Sequence, residues 1–261
     1  MALIGGVMCC LDIDIRATWE GPYSEMFAQF GAASALKETL ADENLINRPQ
    51  ARLERLARKV LRAGASSEDL LRDRVVEFLR SKFTHVNLYH ACRIADRGTY
   101  EREGLRLSDV NELDRFARAF FGQTPQLDNA IRDLRRLGYG AWNHGKIGLW
   151  FARSGAIFGG DHYLAHGSEY LGRLAGCLGP LELERLAARG RPAVIRCKMP
   201  IGDLAQSAIR FASILPLQQI LTTKDPDAPP IITAIQGATL HTKPIPPSAI
   251  TIEFLDETPS A

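Results

Sequence analysis

Five short apolar segments in the second two thirds of the chain predict β-strands, and the irregular distances between them constrain the fold. These distances argue against the regular strand–helix alternation of a doubly wound parallel sheet. They favour an α+β fold in which short strands are separated by helices and irregular segments. The predicted strands cover residues 85–93, 148–152, 191–201, 231–241 and 249–254.

The N-terminal part of the chain has a different pattern, because helical periodicity follows a single predicted strand over residues 3–16. One predicted helix begins near Pro49 and ends at Gly64, and Ser66 with Asp69 has the spacing of a capping box for the next helix. We therefore divide the chain into a mainly helical N-terminal region (1–82), an α+β domain (83–255) and a flexible tail (256–261).

The composition bounds the class of protein. The 32 basic and 30 acidic residues nearly cancel, which argues against a protein that coats nucleic acid. The five cysteines are odd in number and lack zinc-site spacing, so reduced thiols in a cytoplasmic protein are expected. The apolar N-terminus lacks the basic start of a signal peptide, and no apolar run is long enough to span a bilayer. We expect no membrane partner.

Several common catalytic motifs are missing from the sequence. There is no GxGxxG after a strand, no GxxxxGK[ST] loop and no GxSxG elbow. His162 and His166 are four residues apart, but Gly167 follows them and no third ligand accompanies them, so we expect no metal.

A glycine-rich stretch joins the predicted strand at 148–152 to a helix. We predict a loop containing four glycines between them, with Ser168 as the N-cap of the helix. Trp150 and Tyr170 stand at the two ends of this stretch. Upstream, Ser108 is predicted to cap one helix that Gly122 closes, and Thr124 to cap another.

Three separated motifs, in this order, resemble the ADP-ribosyltransferase superfamily, in its diphtheria-toxin-like and poly(ADP-ribose) polymerase-like branch. The first motif is Tyr89-His90 on a strand, followed by Gly104-Leu105. The second is GLWFA (148–152), which leads to Ser168 and Tyr170. The third comprises late strands at 192–204 and 234–254, in which Gln236 occupies the position of the family's catalytic glutamate.

The resemblance covers residues 83–255 and implies a split antiparallel β core with a helical N-terminal segment and a helical insertion at 106–147. It implies His90, Tyr170 and Gln236 as catalytic residues. It also implies that two aromatic side chains flank nicotinamide and that His90 binds an adenosine ribose hydroxyl. The cofactor-binding residues implied are Tyr89, His90, Ala91, Gly148, Trp150, Phe151, Ser168 and Tyr170.

The implied activity is that of an NAD-dependent mono-ADP-ribosyltransferase of the toxin or defence-effector type. Such an enzyme cleaves the nicotinamide–ribose bond of NAD, its substrate, and transfers ADP-ribose to a protein or nucleic-acid acceptor. An antitoxin or regulatory partner would fit this type. Gln236 has an acceptor carbonyl but no charge to stabilise the oxocarbenium-like state. Glu253, Asp161 and Glu169 are alternative carboxylates.

Three alternatives remain open at this stage. A catalytically weak module of the same fold would bind NAD or ADP-ribose, and the neutral Gln236 favours it. An NAD-dependent RNA 2′-phosphotransferase is a more distant relative, because that branch relies on several arginines around NAD. Finally, Trp150 and Tyr170 can be core aromatics and His90 a hydrogen-bonded core histidine.

Overall fold

A computed structural model describes residues 8–29, 59, 68–204 and 238–256. The chain divides into two compact units. The first unit comprises residues 1–87 and 198–237, and the second comprises 88–197 and 238–261. The first therefore includes residues 198–237, which the sequence analysis assigned to the α+β domain.

The described part of the first unit contains a pair of strands and two helices that contact each other. Strand β1 (Met8–Leu11) runs parallel to the start of β2 (Phe83–Ile94), with Leu11 opposite Val86. A 3₁₀ turn (Arg16–Thr18) leads to helix α1 (Glu20–Gln29), and helix α2 (Glu68–Lys82) precedes β2. The predicted strand over 3–16 is wrong beyond Leu11, because the Thr18 hydroxyl donates to the Asp12 carbonyl and turns the chain.

Helix α2 confirms the predicted second N-terminal helix. Val75, Phe78 and Leu79 are buried along one face, as the apolar spacing predicts. The predicted helix between Pro49 and Gly64, and the capping residue Ser66, lie outside the described residues. Within the described ranges, no helix is long and apolar enough to cross a membrane.

The second unit contains a sheet in which β2 is joined by β3 (Ile147–Trp150), β4 (Arg191–Pro200), β5 (Ala238–His241) and β6 (Ile250–Phe254). Its strand order is β5-β3-β2-β4-β6. The pairs β2–β3, β3–β5 and β4–β6 are antiparallel, which together with the surrounding helices confirms the α+β class. Tyr89 lies opposite Trp150, and Val194 lies opposite Glu253.

The helices of this unit follow the predicted pattern in part. Ser168 accepts a hydrogen bond from the Leu171 N–H, which confirms it as an N-cap, and Thr124 caps its helix in the same way. The described helices are α3 (Arg97–Glu103), α4 (Val110–Phe121), α5 (Pro125–Arg136), α6 (Arg153–Gly159), α7 (Asp161–His166), α8 (Glu169–Leu178) and α9 (Pro180–Ala187).

Two sequence predictions about these helices are wrong. Helix α4 is capped by Asp109 rather than by Ser108, because the backbone of Ser108 pairs with Gly145 and Lys146 instead. The glycine-rich stretch before Ser168 is not a loop but contains helices α6 and α7. A side chain at Gly160 would lie 2.7 Å from the Ala91 Cβ, so this glycine permits close packing of a helix junction on the sheet.

Arg93, on β2, fixes the ends of two helices to the sheet. Its guanidinium donates to the carbonyls of Leu164 at 2.8 Å, Gly190 at 2.6 Å and Arg189 at 3.2 Å. Each carbonyl lies in or just after α7 or α9, where helical carbonyls lack partners of their own. These three hydrogen bonds hold α7, and with it the segment before Ser168, against β2.

Candidate functional site

A cavity of about 780 Å³ lies within the second unit. His90 from β2, Gly148 and Trp150 from β3, and Ser168 and Tyr170 from the start of α8 all line it. Tyr163, Gly167 and Glu169 also line it, and the remaining walls come from segments 99–113 and 137–147. Residues from the first two sequence motifs therefore meet around one cavity, together with the insertion at 106–147.

His90 is fixed by the neighbouring strand. Its Nδ1 lies 2.8 Å from the carbonyl oxygen of Gly148. A carbonyl only accepts hydrogen bonds, so Nδ1 carries the proton and, in the neutral ring, Nε2 is left as an acceptor. Burial lowers the pKa of His90, although the hydrogen bond to Gly148 opposes that effect. At neutral pH the side chain is thus an uncharged acceptor.

The lowered pKa of His90 predicts a loss of stability in acid. Above its ordinary pKa of 6.5 the ring is neutral in both the folded and unfolded states. Below that value the unfolded chain binds a proton that the folded protein resists, so folding weakens as the pH falls. We expect the melting temperature to fall more steeply between about pH 7 and about pH 5 in the wild type than in His90→Gln. Parallel curves for the two proteins would contradict this expectation.

Trp150 forms a rigid aromatic wall. The indole is 6% exposed, and its ring packs edge-on against Tyr163 with the ring centroids 5.9 Å apart. Helix α6 passes close beside it, because a side chain at Gly155 would lie 3.2 Å from the indole Cδ1. These contacts leave the indole little freedom to reorient.

Tyr170 is held by its hydroxyl. The phenol oxygen donates to Asp114 Oδ1 at 2.6 Å, and the Asp114 carboxylate also pairs with the guanidinium of Arg135. The Tyr170 side chain is 4% exposed. Burial, followed by the neighbouring carboxylate of Asp114, raises the pKa of Tyr170, so the phenol stays protonated and acts as a donor.

Four carboxylates contribute to the cavity wall, and each has a partner. Asp109 caps α4 by accepting from the Asn111 N–H at 2.8 Å. Glu112 pairs with Arg106 at 3.0 Å, and Glu169 pairs with Arg173 at 2.9 Å. Glu103 lies 3.6 Å from Arg106. Glu169 directly precedes Tyr170 at the start of α8.

An exposed tryptophan and a lysine also line the cavity. Trp142 lines the cavity but is 72% exposed. The Lys146 ammonium donates to the Trp142 carbonyl at 2.9 Å and lies 5.4 Å from the indole centroid. Among the residues that the structure describes, no carboxylate pairs with Lys146, so its charge is available to an anion.

The structure brings together five of the predicted cofactor-binding residues: His90, Gly148, Trp150, Ser168 and Tyr170. The other three do not line the cavity. Tyr89, Ala91 and Phe151 are buried in the core, at 5%, 0% and 0% exposure.

The predicted catalytic glutamine and two of the alternative carboxylates have other positions. Gln236 lies outside the described residues. Glu253 pairs with Arg153, at 3.0 Å from the Nε, and Asp161 accepts from its neighbour His162. Neither carboxylate lines the cavity, which leaves Glu169 as the one alternative that does.

Sequence reasoning missed Asp114, whose carboxylate organises one side of the site. The helical spacing of α4 does indicate it. Asp114 follows Val110 by four residues and precedes Ala117 by three, so it falls on the apolar face of the helix. A charged residue on a buried stripe requires partners. Tyr170 and Arg135, which are distant in sequence, supply them.

No metal site accompanies these residues in the part of the chain that the structure describes. There, no three or more His, Cys, Asp or Glu side chains are grouped as metal ligands. No protein-family model, curated protein or solved structure matches the chain.

Proposed function

We propose that the protein is an NAD-dependent mono-ADP-ribosyltransferase and that the cavity holds NAD. The observation that supports this most strongly is the meeting of His90, Trp150 and Tyr170 around one cavity. These are the residues that the resemblance assigns to NAD, and they come from two separate motifs. A cavity of about 780 Å³ is within the range of cofactor sites.

The nicotinamide ring is assigned to the aromatic part of the cavity. In NAD this ring is flat and carries a positive charge, which the faces of aromatic side chains attract. Trp150 and Tyr170 are both fixed in orientation, the first by α6 and Tyr163 and the second by Asp114. Fixed walls lower the entropic cost of binding a flat ring.

The ribose is assigned to His90. The neutral imidazole presents Nε2 as an acceptor, and a ribose hydroxyl is a donor of the matching type. Cleavage of the nicotinamide–ribose bond builds positive charge on the ribose, as in glycoside hydrolysis. Glu169 is the carboxylate on the cavity wall nearest in sequence to Tyr170 and would favour that charge, beside any contribution from Gln236.

The pyrophosphate and adenine are assigned to Lys146 and Trp142. Lys146 offers an ammonium without a carboxylate partner among the described residues, which suits a phosphate oxygen. The exposed indole of Trp142 offers a face on which a nucleobase can stack. The insertion at 106–147 would then contribute to NAD binding.

Transfer of label from NAD tests the proposed activity. We expect wild-type protein incubated with [adenylate-³²P]NAD and a cell extract to label either a protein or a nucleic-acid fraction. His90→Ala should reduce labelling by about 100-fold, given a loss of roughly 3 kcal/mol in transition-state binding. His85→Ala is the matched control, since His85 lies on the same strand and bonds the Thr84 hydroxyl.

Two other results would be informative. If wild-type protein binds NAD but labels nothing, the catalytically weak NAD-binding module replaces the transferase. The pairing of every carboxylate on the described cavity wall is the observation that favours that module. If wild-type protein neither binds NAD nor labels an acceptor, the proposed function is wrong.

A further inference from the structure

We propose that Asp114 and Arg135 are positioning residues, which set the orientation of the Tyr170 ring in the cavity wall. Both residues belong to the insertion at 106–147, whereas Tyr170 begins the helix that follows the cavity. The consequence for NAD binding rests on the proposed function. The positioning itself does not.

The three side chains come from three helices and meet at one buried carboxylate. Asp114 on α4 is 6% exposed, accepts from the Tyr170 hydroxyl on α8 at 2.6 Å, and pairs with Arg135 on α5. Arg135 also donates to Asn111 at 2.9 Å, which orients the guanidinium. Each oxygen of the carboxylate therefore has a different partner.

A carboxylate in this position is costly to bury, and the two partners offset that cost together. Without Arg135, the charge of Asp114 would be compensated by a neutral phenol alone. Without Asp114, the Tyr170 hydroxyl would lose its partner while the ring stayed within the apolar cluster around Leu174 and Leu134. The hydrogen bond thus selects one orientation for a ring that apolar contacts alone hold less specifically.

A second ion pair between the same helices provides a control. Arg118 on α4 pairs with Asp128 on α5 at 3.1 Å, and both side chains are exposed. Neither residue of this pair lines the cavity. Asp128→Asn removes an α4–α5 charge contact without touching Tyr170, so it separates general effects on the insertion from positioning.

The first test observes the ring directly. In protein labelled with 3-fluorotyrosine, the ¹⁹F resonance of residue 170 is assigned by its loss in Tyr170→Phe. We expect Asp114→Asn and Arg135→Met to shift or broaden this resonance, and Asp128→Asn to leave it unchanged. An unchanged resonance in folded Asp114→Asn and Arg135→Met would overturn the positioning role, whether or not the protein binds NAD.

The second test measures the dissociation constant for NAD. We expect Asp114→Asn to weaken binding about tenfold, in the range expected for one hydrogen bond to a charged group. In a Tyr170→Phe background the same substitution should have little further effect, because the hydroxyl it acts through is already gone. Additive effects would contradict the positioning role. Absence of NAD binding by the wild type would refute the proposed function and leave the ¹⁹F result to decide the inference.

Discussion

Replacing Tyr170 with alanine is expected to lower the free energy of unfolding by about 3–5 kcal/mol, the usual cost of truncating a buried aromatic residue. The ring is 4% exposed and belongs to a cluster that includes Leu127, Leu171 and Leu174. Truncation opens a cavity there and removes the hydroxyl that Asp114 accepts from. Both losses act on the folded state.

Chemical denaturation of three proteins checks this expectation. Tyr170→Phe keeps the ring and removes only the hydroxyl, so we expect a loss of about 1–3 kcal/mol. Tyr139→Ala is a matched control at the surface of the same cluster, where the ring is only half-buried and packs on Arg173. If Tyr170→Ala cost no more than Tyr139→Ala, the hydroxyl and ring of Tyr170 would not be part of the folded core.

Gly104→Ala is the second substitution with a large expected effect. Gly104 has φ +72° and ψ −151°, a conformation that costs other residues about 1–3 kcal/mol. An added Cβ would also lie 2.0 Å from the carbonyl oxygen of Ile245. That oxygen accepts from the Leu105 N–H at 2.9 Å, so the clash would break the bridge between the two segments.

We expect Gly104→Ala to destabilise the protein by about 3–5 kcal/mol, as the sum of strain and overpacking. Gly122→Ala isolates the strain, because Gly122 has φ +89° but nothing within 4 Å of an added Cβ. That control should cost only the backbone strain, about 1–3 kcal/mol, because its ψ of 160° places it in the same region as Gly104. Similar melting temperatures for the two variants would show that the close approach to Ile245 does not limit residue 104.

The sequence predicts the strands well where they are apolar and bounded by turns. The strand at 85–93 is observed as β2, and 249–254 is observed as β6 with one residue fewer. The strand over 3–16 is predicted too long, because one hydroxyl–carbonyl hydrogen bond from Thr18 turns the chain, and apolar character does not report such a bond.

The glycine-rich stretch shows why other elements are missed. Glycines usually indicate a loop, but here Gly155 and Gly160 let helical segments approach Trp150 and Ala91 closely. This role of the glycines can be recognised only from how the helices pack on the folded sheet. Helix α3 is also missed, although Asp96 caps its start by accepting from the Gly98 N–H.

The candidate site could be predicted only in part. Motif order identified His90, Trp150 and Tyr170, which do line one cavity. Tyr89 is adjacent to His90 in the first motif, but it packs with Trp150 and Val194 in the core and does not line the cavity. The burial of Asp114 could be read from its place on the apolar face of α4, but its partners Tyr170 and Arg135 are distant in sequence and could not.

Release of nicotinamide from NAD by the purified protein tests the central claim most directly. We expect wild-type protein to release nicotinamide, His90→Ala and Tyr170→Phe to release less, and His85→Ala to match the wild type. Gln236→Ala, measured alongside them, reports whether that residue contributes to the cleavage. Nicotinamide release by the wild type that His90→Ala and Tyr170→Phe leave unchanged, or no release at all, would contradict the assignment of this cavity to NAD cleavage.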